Sequence, residues 1–196
     1  ITAFSADALR EGQINNISDL TNNVPGLTRQ EGDKRANLSI RGIGTRLSQI
    51  TADPGVGVYV DSIYMPRNDS QLVDVLNMES VQVLRGPQGT LFGKNTTGGA
   101  LVFTTNRPVD EFEGSLGLRV GNYVRLDANF VLNAPITDKL WTRLSGVSVS
   151  RDGYIENRYD GEDYMDEDRQ SLLWQTRWVP TDALTLDLQL NWAETD

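Results

Sequence analysis

"LRGPQGTLFGKNTTGGALVF", residues 84–103, sets five glycines, one proline and one lysine between two apolar runs. Gly93-Lys94 invites a reading as a phosphate-binding loop, which takes the form G-x-x-x-x-G-K-[ST] between a strand and a helix. Three features refuse it. The position five before Gly93 is Gln88, and Asn95 follows Lys94 where a magnesium-binding hydroxyl belongs. What comes next, "GGALVF", is strand-like, so no helix N-terminus would face a phosphate. The glycines therefore read as structural. Gly86, Gly89, Gly93, Gly98 and Gly99 sit where the backbone turns tightly or lies close against a wall. Pro87 can start a single helical turn over "QGTLFG".

Working outward, residues 1 to 108 mix short helices, short strands and glycine turns. Ser5 is placed to cap a helix over "ADALREG" with Gly12 as its stop, and Asn16 or Ser18 caps a second in "NISDLTNNV", ended by Pro25-Gly26. "NLSIRGIG", "GVGVYVDSIYM", "ESVQVLRG" and "GGALVFTT" each read as strand-length runs, with one or two helical turns expected at "SQLVDVL". That is a small α+β unit.

From about residue 109 the pattern changes to five runs of about ten residues with a period of two: "FEGSLGLRVG", "VRLDANFVLNA", "LWTRLSGVSVS", "QSLLWQTRWV" and "LTLDLQLNWA". In the last, Leu184, Leu186, Leu188, Leu190 and Trp192 share one face and Thr185, Asp187, Gln189 and Asn191 the other. Two architectures give such alternation: a soluble antiparallel sheet with one face on a core, or a membrane barrel with apolar residues toward lipid and polar ones toward the lumen. Run length favours the second, since about 9 to 11 tilted residues cross a bilayer. So do the connections. "PITDK" and "PTDA" are tight, whereas "DGYIENRYDGEDYMDED" is long and acidic, and only the short "GNYV" breaks the asymmetry. Trp141 and Trp178 fall near the short-turn end and Trp192 near the other, as interfacial belts require.

Composition narrows the functions. Eighteen basic against 27 acidic residues give a formal charge of -9, opposite to the basic footprint of a nucleic-acid binder. Cysteine and histidine are both absent, which removes thiolate and imidazole metal sites, disulfides and His-dependent catalysis. No cofactor site, metal site or catalytic constellation is read, and the chain is not expected to be an enzyme. The acidic loop from Asp152 to Asp168 lacks the ligand spacing of a calcium-binding EF-hand and reads as solvated. The chain starts at Ile1 without a targeting segment and stops at Asp196 after a strand-like run, so it is expected to be part of a longer protein.

"VQVLRGPQGTLFGKNTTGGALVFTTNRP" (81–108), preceded by "NLSIRGIGT" (37–45) and "DPGVGVYVDSIYMPR" (53–67), resembles the plug motifs of TonB-dependent outer-membrane receptors, in their order. Gln82 departs from the glutamate frequent there. The resemblance covers the whole chain. It implies an α+β plug domain, residues 1–108, followed at 109–196 by the N-terminal strands of a 22-stranded antiparallel transmembrane β-barrel, with about five strands present. It implies active transport across the outer membrane of a Gram-negative bacterium. The partners implied are outer-membrane lipid, a ferric siderophore or other bulky solute, and TonB with its inner-membrane energising complex. TonB would grip a box upstream of Ile1 by strand addition.

By the same resemblance, Arg41 and Arg85, each following an apolar strand segment and preceding glycine, pair with glutamates on the inner barrel wall, with Glu79 in the same cluster; an arginine fork suits a carboxylate. Plug loops at 28–35, 45–53 and 62–70 would form the floor of a ligand vestibule. Arg29, Arg46, Gln49, Tyr64 and Arg67 are the candidates there, because Arg and Tyr can hold an anionic or aromatic chelate. Cobalamin or an oligosaccharide remains an alternative cargo, and a soluble binding protein made of plug plus sheet an alternative of another class.

Overall fold

The computed structural model describes residues 1–30, 36–44, 53–66, 77–159, 161 and 163–195. It divides into two compact units, Ile1–Asn106 and Arg107–Asp196.

The first unit opens with β1 (Thr2–Ser5), which the sequence did not announce, running directly into α1 (Ala6–Glu11). Ser5 ends the strand and caps the helix, accepting a hydrogen bond from Ala8 N, and Gly12 closes it. Asn16, rather than Ser18, caps α2 (Ile17–Asn23) through its Oδ1 to Asp19 N at 2.9 Å. β2 (Leu27–Arg29) follows the Pro25-Gly26 stop.

Two runs expected as single strands fold back as hairpins. "NLSIRGIG" becomes β3 (Leu38–Ile40) and β4 (Ile43–Gly44), and "GVGVYVDSIYM" becomes β5 (Val56–Val60) and β6 (Ile63–Met65). The cause is local. Arg41-Gly42 has φ of 52° and 79° and Asp61-Ser62 has 48° and 70°, the pair of positive φ values that a two-residue I′ turn demands. Asp61 is held there by its carboxylate, which accepts from Thr105 N at 2.9 Å and Thr105 Oγ1 at 2.8 Å.

β7 (Met78–Arg85), α3 (Gly89–Phe92) and β8 (Gly99–Thr105) complete the unit. Among the described residues one sheet has the order β1-β7-β8-β5-β6, with β5 parallel to β8, and a smaller one the order β2-β3-β4. Ile17, Leu20, Ile40, Val58, Val81, Val83, Leu101 and Phe103 are each at most 1% exposed in one apolar cluster. The helix expected at "SQLVDVL" lies outside the described residues.

The second unit is an up-and-down antiparallel sheet: β9 (Glu113–Gly121), β10 (Arg125–Thr137), β11 (Leu140–Arg151), β14 (Glu167–Thr181) and β15 (Leu184–Thr195). The order is β15-β14-β11-β10-β9. A small hairpin, β12 (Ile155–Glu156) with β13 (Asp163–Tyr164), rises within the acidic connection. Among the described residues the sheet is open, with β9 and β15 at its edges. No helix among the described residues is long and apolar enough to cross a membrane.

Candidate functional site

Register sorts the second unit into two faces. Leu116, Phe130, Gly146, Leu172 and Trp192 lie in one row across the five strands, and Leu132, Leu144, Trp174 and Leu190 in another. These belong to an apolar face on which Leu116, Leu118, Val120, Leu186, Leu188, Leu190 and Trp192 are all exposed. The opposite face carries Arg119, Asp127, Asn133, Arg143, Gln175 and Arg177, several of them buried. Trp178 stands on the apolar face opposite Leu140, but Trp141 pairs with Arg177 and so belongs to the polar face. The belt expected at the short-turn end therefore keeps Trp178 and loses Trp141; one step along a strand reverses the side.

The polar face is laced with ion pairs. At the tight-turn end Arg143 reaches Glu113 at 2.8 Å, and Arg177 is bidentate to Asp187 at 2.7 and 2.8 Å. Asn133, fully buried, donates from Nδ2 to Val109 O at 2.9 Å and to Glu111 O and accepts from Val109 N at 3.1 Å, pinning the segment that leads into β9. At the loop end Arg125 lies 3.0 Å from Asp127 and 3.1 Å from Glu167, Arg169 lies 3.2 Å from Glu167, and Arg119 lies 3.6 Å from Asp127. This second group was missed in the sequence, because its members are spread from 119 to 169 and only register brings them together.

In the first unit Tyr64 sits on β6 with its ring 5.3 Å from that of Tyr59, and its hydroxyl accepts from Asn95 Nδ2 at 2.8 Å. Tyr59 in turn packs on Phe92 at 4.9 Å and donates to Phe92 O at 2.6 Å. Burial, with the neighbouring Tyr64 adding to it, pushes the Tyr59 phenol above its ordinary value. The glycine-rich segment is thus fastened to the β5–β6 hairpin. Arg29 is not on a loop: it ends β2 and donates from Nη1 to Ser18 Oγ at 2.7 Å. Arg46, Gln49 and Arg67 lie outside the described residues.

Arg41 occupies the tip of the β3–β4 turn and is exposed, its backbone N donating to Gly26 O at 2.7 Å. Arg85 ends β7; its Nη2 donates to Thr2 Oγ1 at 2.9 Å, and its buried Nε has no hydrogen-bond partner among the described residues. Glu79 lies at the opposite end of β7, six residues away, which is roughly 20 Å along a strand. The single cluster expected of Glu79 with Arg85 is not formed.

Of the motif glycines, Gly98 and Gly99 are demanded by close approach. A Cβ on Gly98 would stand 2.4 Å from Ile43 O and one on Gly99 2.2 Å from Leu84 O, with Gly99 at φ +146°. These surfaces are the unit's own strands. Gly86 and Gly93 hold positive φ in open space, and Gly89 begins α3 with nothing within 4 Å of a Cβ. Pro87 precedes the Gln88 cap instead of starting the helix.

With that geometry in hand, the description of the TonB-dependent receptor plug domain matches residues 1–100. The pesticin receptor of Yersinia pestis is 29% identical over 177 residues, covering 87% of this chain and 25% of that protein. The iron-regulated outer membrane virulence protein of Vibrio cholerae is 25% identical over 172 residues, covering 81% and 26%. The crystal structure of the ferric yersiniabactin uptake receptor of Yersinia pestis superposes with a TM-score of 0.83 at 26% identity, covering 92% of this chain and 29% of that one. The chain spans about a quarter of the length of the curated relatives it matches.

Proposed function

The chain belongs to the TonB-dependent receptor family through its plug domain, and from that membership we propose that it is the plug and first barrel strands of an outer-membrane transporter for a ferric-siderophore-type ligand. Transport is driven by TonB, which draws on the inner-membrane proton gradient and grips a segment upstream of Ile1.

The observation that carries this reading is the sorting of the five-stranded sheet. A row of exposed leucines from Leu184 to Leu190 has no place in water at that density, but matches the lipid-facing band of an outer-membrane barrel. Open edges at β9 and β15 cannot persist in lipid, where backbone groups must pair internally, so further strands of a longer chain are required to close the barrel. Ferric yersiniabactin uptake by the Yersinia pestis receptor, and the iron-regulated character of the Vibrio cholerae relative, support iron chelates as the cargo.

Within the plug, Arg41 and Arg85 are proposed to seat on acidic residues of later barrel strands. For Arg85 the support is a buried, unpartnered Nε, a cost that a carboxylate would relieve. Arg46, Gln49 and Arg67, together with Tyr64, are proposed to touch ligand.

The test is ferric-chelate uptake by cells carrying the intact protein, with and without TonB and with the proton gradient collapsed. Uptake that needs both is expected. Chelate uptake indifferent to TonB, or a native product of 21.8 kDa recovered in the soluble fraction, would overturn the reading.

A further inference from the structure

Residues 106–112 connect β8, the last strand of the first unit, to β9, the first of the second. Each end of this connection is fastened within its own unit. In the first, Asn106 N donates to Asn77 O at 2.8 Å, and Thr105 before it is held by the Asp61 carboxylate. In the second, Asn133 of β10 takes hold. Its Nδ2 donates to Val109 O at 2.9 Å and to Glu111 O, and its Oδ1 accepts from Val109 N at 3.1 Å.

Asn133 is the polar side chain among the largest fully buried ones of the described residues. Its row across the sheet is Glu113, Asn133, Arg143, Gln175 and Gln189, which places it on the polar face. β10 continues past this row to Thr137, but β9 does not pair with that continuation. The connection is turned aside there and tied to a side chain. Asparagine suits the task because its amide both donates and accepts, so it can serve the N–H and the C=O of Val109 as a neighbouring strand would. Arg107 adds an exposed approach to Asp187 at 3.9 Å, which contributes little by itself.

Between Asn106 and Val109 stand only Arg107 and Pro108. Proline fixes its own φ and keeps the residue before it extended. Fully stretched, the path from Asn106 to Val109 spans about 10 Å, less than half the roughly 25 Å apolar band of an outer-membrane barrel. Releasing Val109 and Glu111 would extend the free path to Glu113, roughly 23–25 Å.

We propose that Asn133 is the anchor that makes the plug fast to the barrel strands: it holds against the pull of TonB, so that the end of β8 stays within about 10 Å of Val109 during transport. The inference rests on the transport reading above and adds to it the residue that resists the pull.

The test is cleavage after Glu111 by a glutamate-specific protease, in cells that carry the intact receptor and whose outer membrane has been made permeable to the protease. A ferric catecholate and a ferric hydroxamate serve as transport probes, and TonB is studied with the proton gradient intact and collapsed. Cleavage requires the bonds from Asn133 to open locally. In the wild type it is expected to be slow and to change less than about twofold when TonB is energised. Asn133→Leu keeps a branched shape and loses the amide; it should speed cleavage roughly tenfold or more, and further when TonB is energised. Val109→Pro removes only the N–H that Oδ1 accepts and leaves β10 untouched, so it decides the matter should the asparagine variant fail to fold. Its expected rise is roughly three- to fivefold, again larger with energised TonB. Wild-type cleavage that climbs with energised TonB overturns the anchor. So does cleavage unmoved by both substitutions, or raised equally with and without the gradient, the mark of a clip that bears no pull. Each of these leaves TonB-dependent uptake, and with it the transport reading, standing. Uptake of neither probe by the wild type, or uptake indifferent to TonB, overturns the transport reading and the anchor together.

Discussion

Phe103, in the first unit, is fully buried, whereas Leu188, in the second, is 52% exposed. Both are large and apolar, and both sit in strands that alternate. In the first unit the apolar sides of the sheets and of α1 and α2 converge on one cluster, as in any protein folded by water. In the second they diverge outward, and among the described strand residues the buried side chains are Asp127, Asn133, Arg143, Ser145 and Gln175 along with Val149. Polar groups inside and leucines outside is the arrangement expected when the outer solvent is hydrocarbon and the inner space is polar. One chain thus carries two opposite hydrophobic rules, and they change near Asn106.

The sharpest way to break this comparison is to damage each rule separately. Phe103→Ala removes the largest fully buried side chain of the first unit and should cost about 3–5 kcal/mol. Protease susceptibility of the intact protein should rise at plug sites and not at strand sites. Leu188→Arg places a charge in the leucine row and should cost about 2–4 kcal/mol in lipid, read as loss of the folded, heat-resistant band in detergent. Gln189→Arg, one residue on and on the polar face, should leave that band unchanged. Equal damage from both arginines would erase the distinction between the faces.

Gly99→Ala probes the seam between β7 and β8. Its φ of +146° and the nearness of Leu84 O make a side chain there strained by about 1–3 kcal/mol, measurable as earlier unfolding of the plug in denaturant. The smallest effect belongs to Tyr59. Its phenol titrates above the ordinary value of 10.0, so the stability it contributes is present below that value and is lost as pH rises through the higher folded one. In Tyr59→Phe the plug's stability should fall less steeply above pH 10.0 than in the wild type.

What could be read from the sequence follows the same division. The β15 row was legible because five apolar residues at every second position leave one choice of face, and α1 because Ser5 and Gly12 are capping types at helix-length spacing. The hairpins at Arg41-Gly42 and Asp61-Ser62 were not. Neither dipeptide is a strong I′ signal, and the positive φ at Asp61 is held by Thr105, which is distant in sequence. β1 was hidden because four residues running straight into a helix cap carry no pattern of their own, and they are fixed by pairing with Val83 and its neighbours. The loop-end arginines illustrate the same limit for the site: each reads alone as a polar-face residue, and only strand register shows that Arg119, Arg125 and Arg169 share two carboxylates. Basic residues in phase at the loop ends of neighbouring strands were the signal available.

The central claim is that one face of the second unit meets lipid. The chain has no cysteine, so single cysteines can be placed at each position from 184 to 193 of the intact protein in outer membranes, spin-labelled, and scored for collision with oxygen and with a water-soluble nickel chelate. The account requires a period of two, with positions 184, 186, 188 and 190 accessible to oxygen and shielded from nickel, and 185, 187 and 189 the reverse. Nickel accessibility at the leucine positions equal to that of their neighbours would contradict it.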